Sequence, residues 1–491
     1  MSRRSALRSG AVTSFSYVVL SVAGALAGVY LAHKFGRNTE TDGFLAAYGV
    51  YLVLVFGAQA FRMVVVPDLT RADAEGRLGP AFTAYAAAFL ILAAPATVLV
   101  AVFPDFFGEL ITGRLPQRAT TIAGQALMWI VPAAFAQLLA ALAASALAAR
   151  GSYATAAAGF ALGGIASLVV FVAAAGKHGM IALAWGLAVN GAIALAVPLI
   201  AIVVRGGRPR HLGGFVAARS IRAPLWRLVS GASVPIAVQA LYLMALRFAG
   251  ATGEGNVTSL SYAYLLAATF VTATAFSLSL ISAAPLTRRG LDADTASEHV
   301  IHSGWVSLAL VGAGAGIVAL VGGPVVGGVL GHAFSGKVGD QLGRLVVYLT
   351  PWMVGSAAFS ISYPLLFVTQ RTRLLLPIAV GGILVDIPIS VALRAWAGLD
   401  GVAVALGIAT LLVVFALMYA LAPRMLFLSV MGLGRLALIV GAATALAFGG
   451  ASLVVGAIPA AVLGACVYAL LLVALRQLGL ADAWHYVRAL H

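Results

Sequence analysis

The chain has 491 residues, of which 62% are hydrophobic and only 9% charged, with a mean hydropathy of +1.05. An average soluble domain is roughly 25% charged, so water is excluded as the main solvent. The formal net charge of +15 is spread over many short loops beside apolar runs, as membrane orientation alone would place it, and no nucleic-acid partner is expected. The one cysteine, Cys466, leaves no disulfide framework and no cysteine-held metal, and no cofactor is expected.

A spanning helix needs about 20 mostly apolar residues, and the chain supplies such runs from end to end. The expected spans are 12–32, 43–66, 80–103, 122–148, 153–175, 179–204, 228–250, 258–284, 303–330, 345–368, 374–397, 400–421, 433–454 and 457–475. The first follows Arg3, Arg4 and Arg8, but it is too long for a signal-peptide core and reads as a retained helix. The fold expected is therefore all-α and polytopic.

With the N-terminus inside, 20 of the 30 Lys and Arg fall on inner segments, against eight outside. Both termini are therefore expected in the cytoplasm of a cell with a plasma membrane of this kind. The densest basic stretch, Arg205 to Arg227, interleaves six arginines with Leu212, Phe215, Val216, Leu225 and Trp226. It reads either as an interfacial segment on anionic lipids or as a solvated inter-lobe linker that only fixes topology.

The chain repeats itself. Pro67 to Arg71 resembles Ala284 to Arg288, Trp129 to Pro132 resembles Tyr348 to Pro351, and Gly163 to Ile165 resembles Gly381 to Ile383, at offsets of 217, 219 and 218. Three nearly equal offsets in one order indicate duplication. A shift of six spans preserves orientation, so the expected plan is two parallel six-helix lobes, 1–204 and 228–421, joined by the 205–227 linker, with two further helices in 422–491. Transporters of this build place substrate between their halves.

Three ionisable side chains lie within spans, where a charge is costly and marks a functional candidate. Arg62 lies about one turn from the inner end of the second span and Arg247 one turn from the outer end of the seventh; each reads as snorkelling or as an anion site. Asp386 lies mid-span before Pro388, as an ion-coupling candidate or as a neutral acid bonded to a neighbouring helix.

Gly24, Ala32, His33, Phe35, Gly36, Asp42, Gly43, Phe44, Phe61, Val66 and Pro67, with Ser259, Leu260, Tyr262, Ala263 and Leu266, resemble the MviN/MurJ-type lipid II flippases of the multidrug/oligosaccharidyl-lipid/polysaccharide exporter superfamily. The resemblance implies twelve core helices in two lobes plus two more, in a bacterial cytoplasmic membrane. It also implies a central cavity whose arginines attract a diphosphate. At those positions this chain has Ser21, Ala27, Leu54 and Leu265, with Gly28 and Ala58 at the family's acidic positions.

The function expected is a flippase or exporter for a lipid-linked or amphipathic, anionic substrate such as a saccharide or peptidoglycan precursor. Arg62 and Arg247 are the substrate-binding candidates. A drug or metabolite antiporter and a non-transporting scaffold that meets envelope-synthesis proteins are the alternatives. An enzyme is not expected, because the outer acids Asp105, Glu109, Glu254 and Asp340 show no paired spacing.

Overall fold

A computed structural model describes residues 3–150, 152–205, 218–271, 293–368 and 374–475. Among these there is no strand, because backbone N–H and C=O groups in hydrocarbon must pair within their own segment. The chain is an all-α polytopic membrane protein. Its contacts group into two compact units, Met1–Val257 and Thr258–His491.

The first unit contains α1 (Arg3–Phe35), α2 (Thr39–Ala74), α3 (Leu78–Val102), the short α4 (Pro104–Thr112), α5 (Gln117–Ala149), α6 (Tyr153–His178), α7 (Ile181–Arg205) and α8 (Ala218–Gly250). The helix α9 (Asn256–Val271) crosses into the second unit, followed there by α10 (Ala293–Leu330), α11 (Lys337–Tyr348), α12 (Thr350–Val368), α13 (Leu375–Leu421), α14 (Pro423–Thr444) and α15 (Ala457–Ala474).

Among the described residues eleven helices are long and apolar enough to cross a membrane, and α11 with α12, bent by 43°, makes a twelfth when the pair is taken as one span. Pro351, the second residue of α12, lacks an N–H and crowds the carbonyl one turn back, which accounts for a bend there. At 47 residues, α13 would be about 70 Å long. Gly398, at φ 60°, breaks it into two arms. With the arms of α13 counted separately, thirteen of the fourteen expected spans have a helix among the described residues; α9 covers the start of the eighth, and the remainder of that one lies outside them. So does most of the 205–227 basic segment.

The repeat is visible in the backbone. Gly179 turns α6 into α7 at φ 61°, and Gly398, 219 residues later, turns the arms of α13 at φ 60°. Both are left-handed conformations that a side chain disfavours. The motif ending in Pro132 passes straight through α5, whereas its counterpart at Pro351 marks the bend.

The core of the first unit is α5, two thirds buried and rich in alanine. Small side chains let backbones approach where lipid gives no hydrophobic drive for helix association. The closest approach is Gly43, where a Cβ would stand 2.2 Å from the Ala119 carbonyl oxygen. In the second unit α14, the residues 445–449 that follow it and α15 pack on α10 through Leu308, Leu436, Val440, Phe448 and Tyr468. There the buried Tyr468 hydroxyl donates to the Ala309 carbonyl at 2.8 Å.

Gly43→Ala should therefore lower the melting temperature in detergent by the equivalent of about 1–3 kcal/mol of overpacking. Gly24→Ala, which meets nothing within 4 Å, should leave it unchanged or raised.

Candidate functional site: the seam between α2 and α8

The helices α2 and α8 run antiparallel in contact along their length. Leu246 packs where a Cβ on Gly49 would be, Ile236 lies against Gly57, and Arg227 reaches Asp68. Between its ends the seam includes apolar packing at Gly49 and Gly57, and Gln239 and Tyr242 of α8 have partners of their own. At each of its two ends a carboxylate is bonded across it.

At one end the chain leaves α1 through Gly36 and starts α2 with Asn38, whose side chain accepts from the Thr41 amide at 3.0 Å. This cap sets Asp42 in the first turn, fully buried and well placed against the helix dipole. The Asp42 carboxylate accepts the Gly255 amide at 2.5 Å. Arg37 donates from Nε to the Gly255 carbonyl at 2.8 Å and from Nη2 to Asn256 Oδ1 at 2.7 Å. Glu254 accepts from the Thr39 amide at 3.0 Å and from the Thr39 hydroxyl. Those two bonds, hydroxyl first, hold the exposed Glu254 carboxyl below the usual glutamate range.

At the other end Asp68 Oδ2 accepts from both the Arg227 guanidinium and the Tyr85 hydroxyl. Tyr85 is itself buried on α3 among Phe61, Leu69 and Leu142. Three helices thus meet on one carboxylate oxygen. Charge-assisted hydrogen bonds of this kind are roughly twice as strong as neutral ones.

The sequence-predicted arginines lie on the same two helices and are not brought together. Arg62 is half-buried on α2 and six residues from Asp68. Arg247 is exposed in the last turn of α8, where its stem crosses Gly113 with Cγ and Nε 3.2 Å from where a Cβ would stand. The register of the seam sets the two about 22 Å apart along the helix axes. One headgroup cannot touch both at once.

Asp386 lies in the second unit, on the first arm of α13, and is 1% exposed. One carboxylate oxygen accepts from Ser390 at 3.0 Å, and the other has no hydrogen-bond partner. Its bond is thus to its own helix one turn on, and not to a neighbouring helix. At the positions where the resembled family carries arginines, Ser21 is exposed and Ala27, Leu54 and Leu265 are half-buried. Leu54 packs beside the Phe61 and Val65 cluster.

The end contacts were missed by sequence reasoning because their partners stand 213 to 219 residues apart at one end and 159 at the other. One signal was available. The loops at 36–42 and 253–256 stand at the repeat's own offset from each other in the sequence.

No family model matches the sequence, and no curated protein matches it significantly. Solved structures do. The lipid II flippase MurJ in an inward closed conformation superposes with a TM-score of 0.73 at 16% identity, over 95% of this chain and 99% of that one. The chain has the MurJ fold. An inward-facing MATE multidrug transporter of the MOP superfamily matches at TM-score 0.60 and 14% identity, over 85% of this chain and 94% of that one. A MOP superfamily transporter from Pyrococcus furiosus matches at 0.59 and 14%, over 88% and 95%. The polytopic all-α fold expected from the sequence is the fold observed.

Asp42→Ala should speed hydrogen exchange at the Gly255 amide and the loop around it, because a buried donor loses its acceptor at a cost of about 1–3 kcal/mol. Exchange near Arg227 should not change. The Glu254 contribution is complete above the ordinary glutamate pKa of 4.5 and is lost as pH falls through its lowered value. The difference in melting temperature between wild type and Glu254→Gln, present at neutral pH, should close below 4.5.

Proposed function

We propose that this protein is a transporter of the MurJ and MATE superfamily, moving an amphipathic, anionic, lipid-linked substrate across a bacterial cytoplasmic membrane by alternating access. The substrate class is a lipid-linked saccharide or peptidoglycan precursor. The observation that carries the reading is the α2–α8 seam, bonded by separate polar clusters at its two ends. A path that opens to one side at a time needs two closures that can be released independently, and helix-terminal polar contacts are where a membrane helix can exchange protein partners for water.

The moving bodies in this reading are the lobes 1–204 and 228–421, hinged through 205–227, with both termini in the cytoplasm. Basic residues of that linker rest on anionic lipids. Arg62 and Arg247, one toward each end of the seam, give an anionic headgroup a cation near either mouth. Asp386, buried with one oxygen unpartnered, is the group that binds a coupling proton or cation, and this feature also supports the antiporter alternative.

The central stretch of the path lacks the arginines of the resembled family. A diphosphate entering a low-dielectric space loses hydration that fixed cations or donors must replace, and Ser21, Ala27, Leu54 and Leu265 supply no charge. The substrate should therefore carry less concentrated charge than a diphosphate, or cross more slowly.

The test is translocation of fluorescent lipid-linked sugars by the purified protein in vesicles. Arg62→Gln and Arg247→Gln should each slow it about tenfold, the value of one charge-assisted hydrogen bond. Rates unchanged in the double variant would refute the assignment of the arginines. Expression in a bacterium depleted of its own lipid II flippase should fail to restore growth, and full rescue would refute the reading of the missing charges.

A further inference from the structure

The second unit contains a cavity of about 500 Å³ between α10 and α11, lined among others by Leu320 and Gly323 of α10 and by Asp340, Gly343, Arg344 and Val347 of α11. It lies away from the α2–α8 seam in the fold's order and takes no part in the transport reading. Two features shape it. The span to which α11 belongs bends by 43° at its junction with α12. The floor also lacks side chains at Gly323 and Gly343, so that the Asp340 carboxylate lies directly over the Gly323 backbone, 2.3 Å from where a Cβ would stand.

The charges in it are unusual. Asp340 and Arg344 are spaced one helical turn apart with the acid first, the favourable order for an ion pair on a helix. Yet neither side chain is in an ion pair among the described residues. Both side chains are exposed and line the cavity, and Arg344 also lies close enough to Asp400 of α13 to interact with its charge.

We propose that this cavity is a binding site for the headgroup and upper acyl chain of a zwitterionic phospholipid with a primary amine, of the phosphatidylethanolamine type. The order of the charges along the helix selects this ligand. In this proposal α11 enters the bilayer from the turn at 331–336, which makes Asp340 the shallower charge and puts Arg344 about 6 Å further along the helix. In a bilayer the phosphate likewise lies deeper than the amine that ends the headgroup. Arg344 takes the phosphate, for which a guanidinium fork is suited. Asp340 takes the ammonium, and the Leu320 and Val347 side takes the first carbons of a chain. An anionic lipid without the amine would leave Asp340 facing like charge, and a choline headgroup offers no N–H to the carboxylate. The bound lipid would bridge α10 to the bent span and so stiffen the second unit at its bend.

The experiment is native mass spectrometry and thermal melting of the full chain delipidated in detergent. The probes are phosphatidylethanolamine, phosphatidylcholine and phosphatidylglycerol of identical chains. Wild type should retain phosphatidylethanolamine about tenfold more than phosphatidylcholine, the value of one charge-assisted hydrogen bond. Asp340→Asn should abolish that preference while leaving phosphatidylglycerol retention equal or higher. Arg344→Gln should weaken retention of all three. Gly343→Leu should block retention by filling the cavity, and Arg344→Gln serves if that variant does not fold. Equal retention of the ethanolamine and choline lipids by wild type would overturn the proposal, as would a preference unchanged in Asp340→Asn and Arg344→Gln. Vesicle transport is a separate readout, so failure here leaves the transport reading standing and failure there leaves this one.

Discussion

The Asp42 carboxylate, buried at the first turn of α2 and accepting the Gly255 amide, is the contact on which the arrangement of the seam most depends. A buried carboxylate is tolerated only with donors. Here a donor comes from a loop more than two hundred residues away, so the hydrogen bond to the charge also fixes where α8 ends relative to where α2 begins. Arg37 and Glu254 add to the same junction from both sides. With that end set and Asp68 holding Arg227 at the other, the register of the whole seam follows.

The same logic explains why the carboxylates bonded across this seam lie at its ends. Midway, Gly49 and Gly57 leave room for Leu246 and Ile236, and close packing substitutes for the hydrophobic drive that lipid cannot supply. A polar clamp placed there would cost desolvation with no water to exchange against. Arg62 and Arg247 lie toward opposite ends of the seam, and the proposed function uses them there.

The fold was legible because its determinants are local or periodic. Apolar run length marks spans, and equal offsets between short motifs reveal the duplication. Gly179 and Gly398 make the same turn because the duplicated sequence needs the same left-handed residue. What the sequence did not disclose was the outcome at the second copy of the Pro132 motif, where α11 and α12 bend. Nor did it show that Asp386 bonds to Ser390 on its own helix. The end contacts were illegible for a different reason. Asp42 stood in the family-like pattern and Glu254 among scattered acids, and neither carries a mark of its partner, since hydrogen bonds between distant loops leave no spacing in a single sequence.

The central claim is that the two ends of the α2–α8 seam open in alternation. It is tested most directly by spin-label distance measurements in nanodiscs on a chain with the exposed Cys466 replaced by serine. One label pair spans the Asp42 end, at Lys34 and Gly253, and another the Asp68 end, at Arg71 and Arg222; all four positions are exposed. The account predicts two distances for each pair, with the long distance at one end occurring only with the short distance at the other, and a shift between them on addition of a lipid-linked sugar. Both ends widening together, or one unchanging distance at each end with and without substrate, would contradict it.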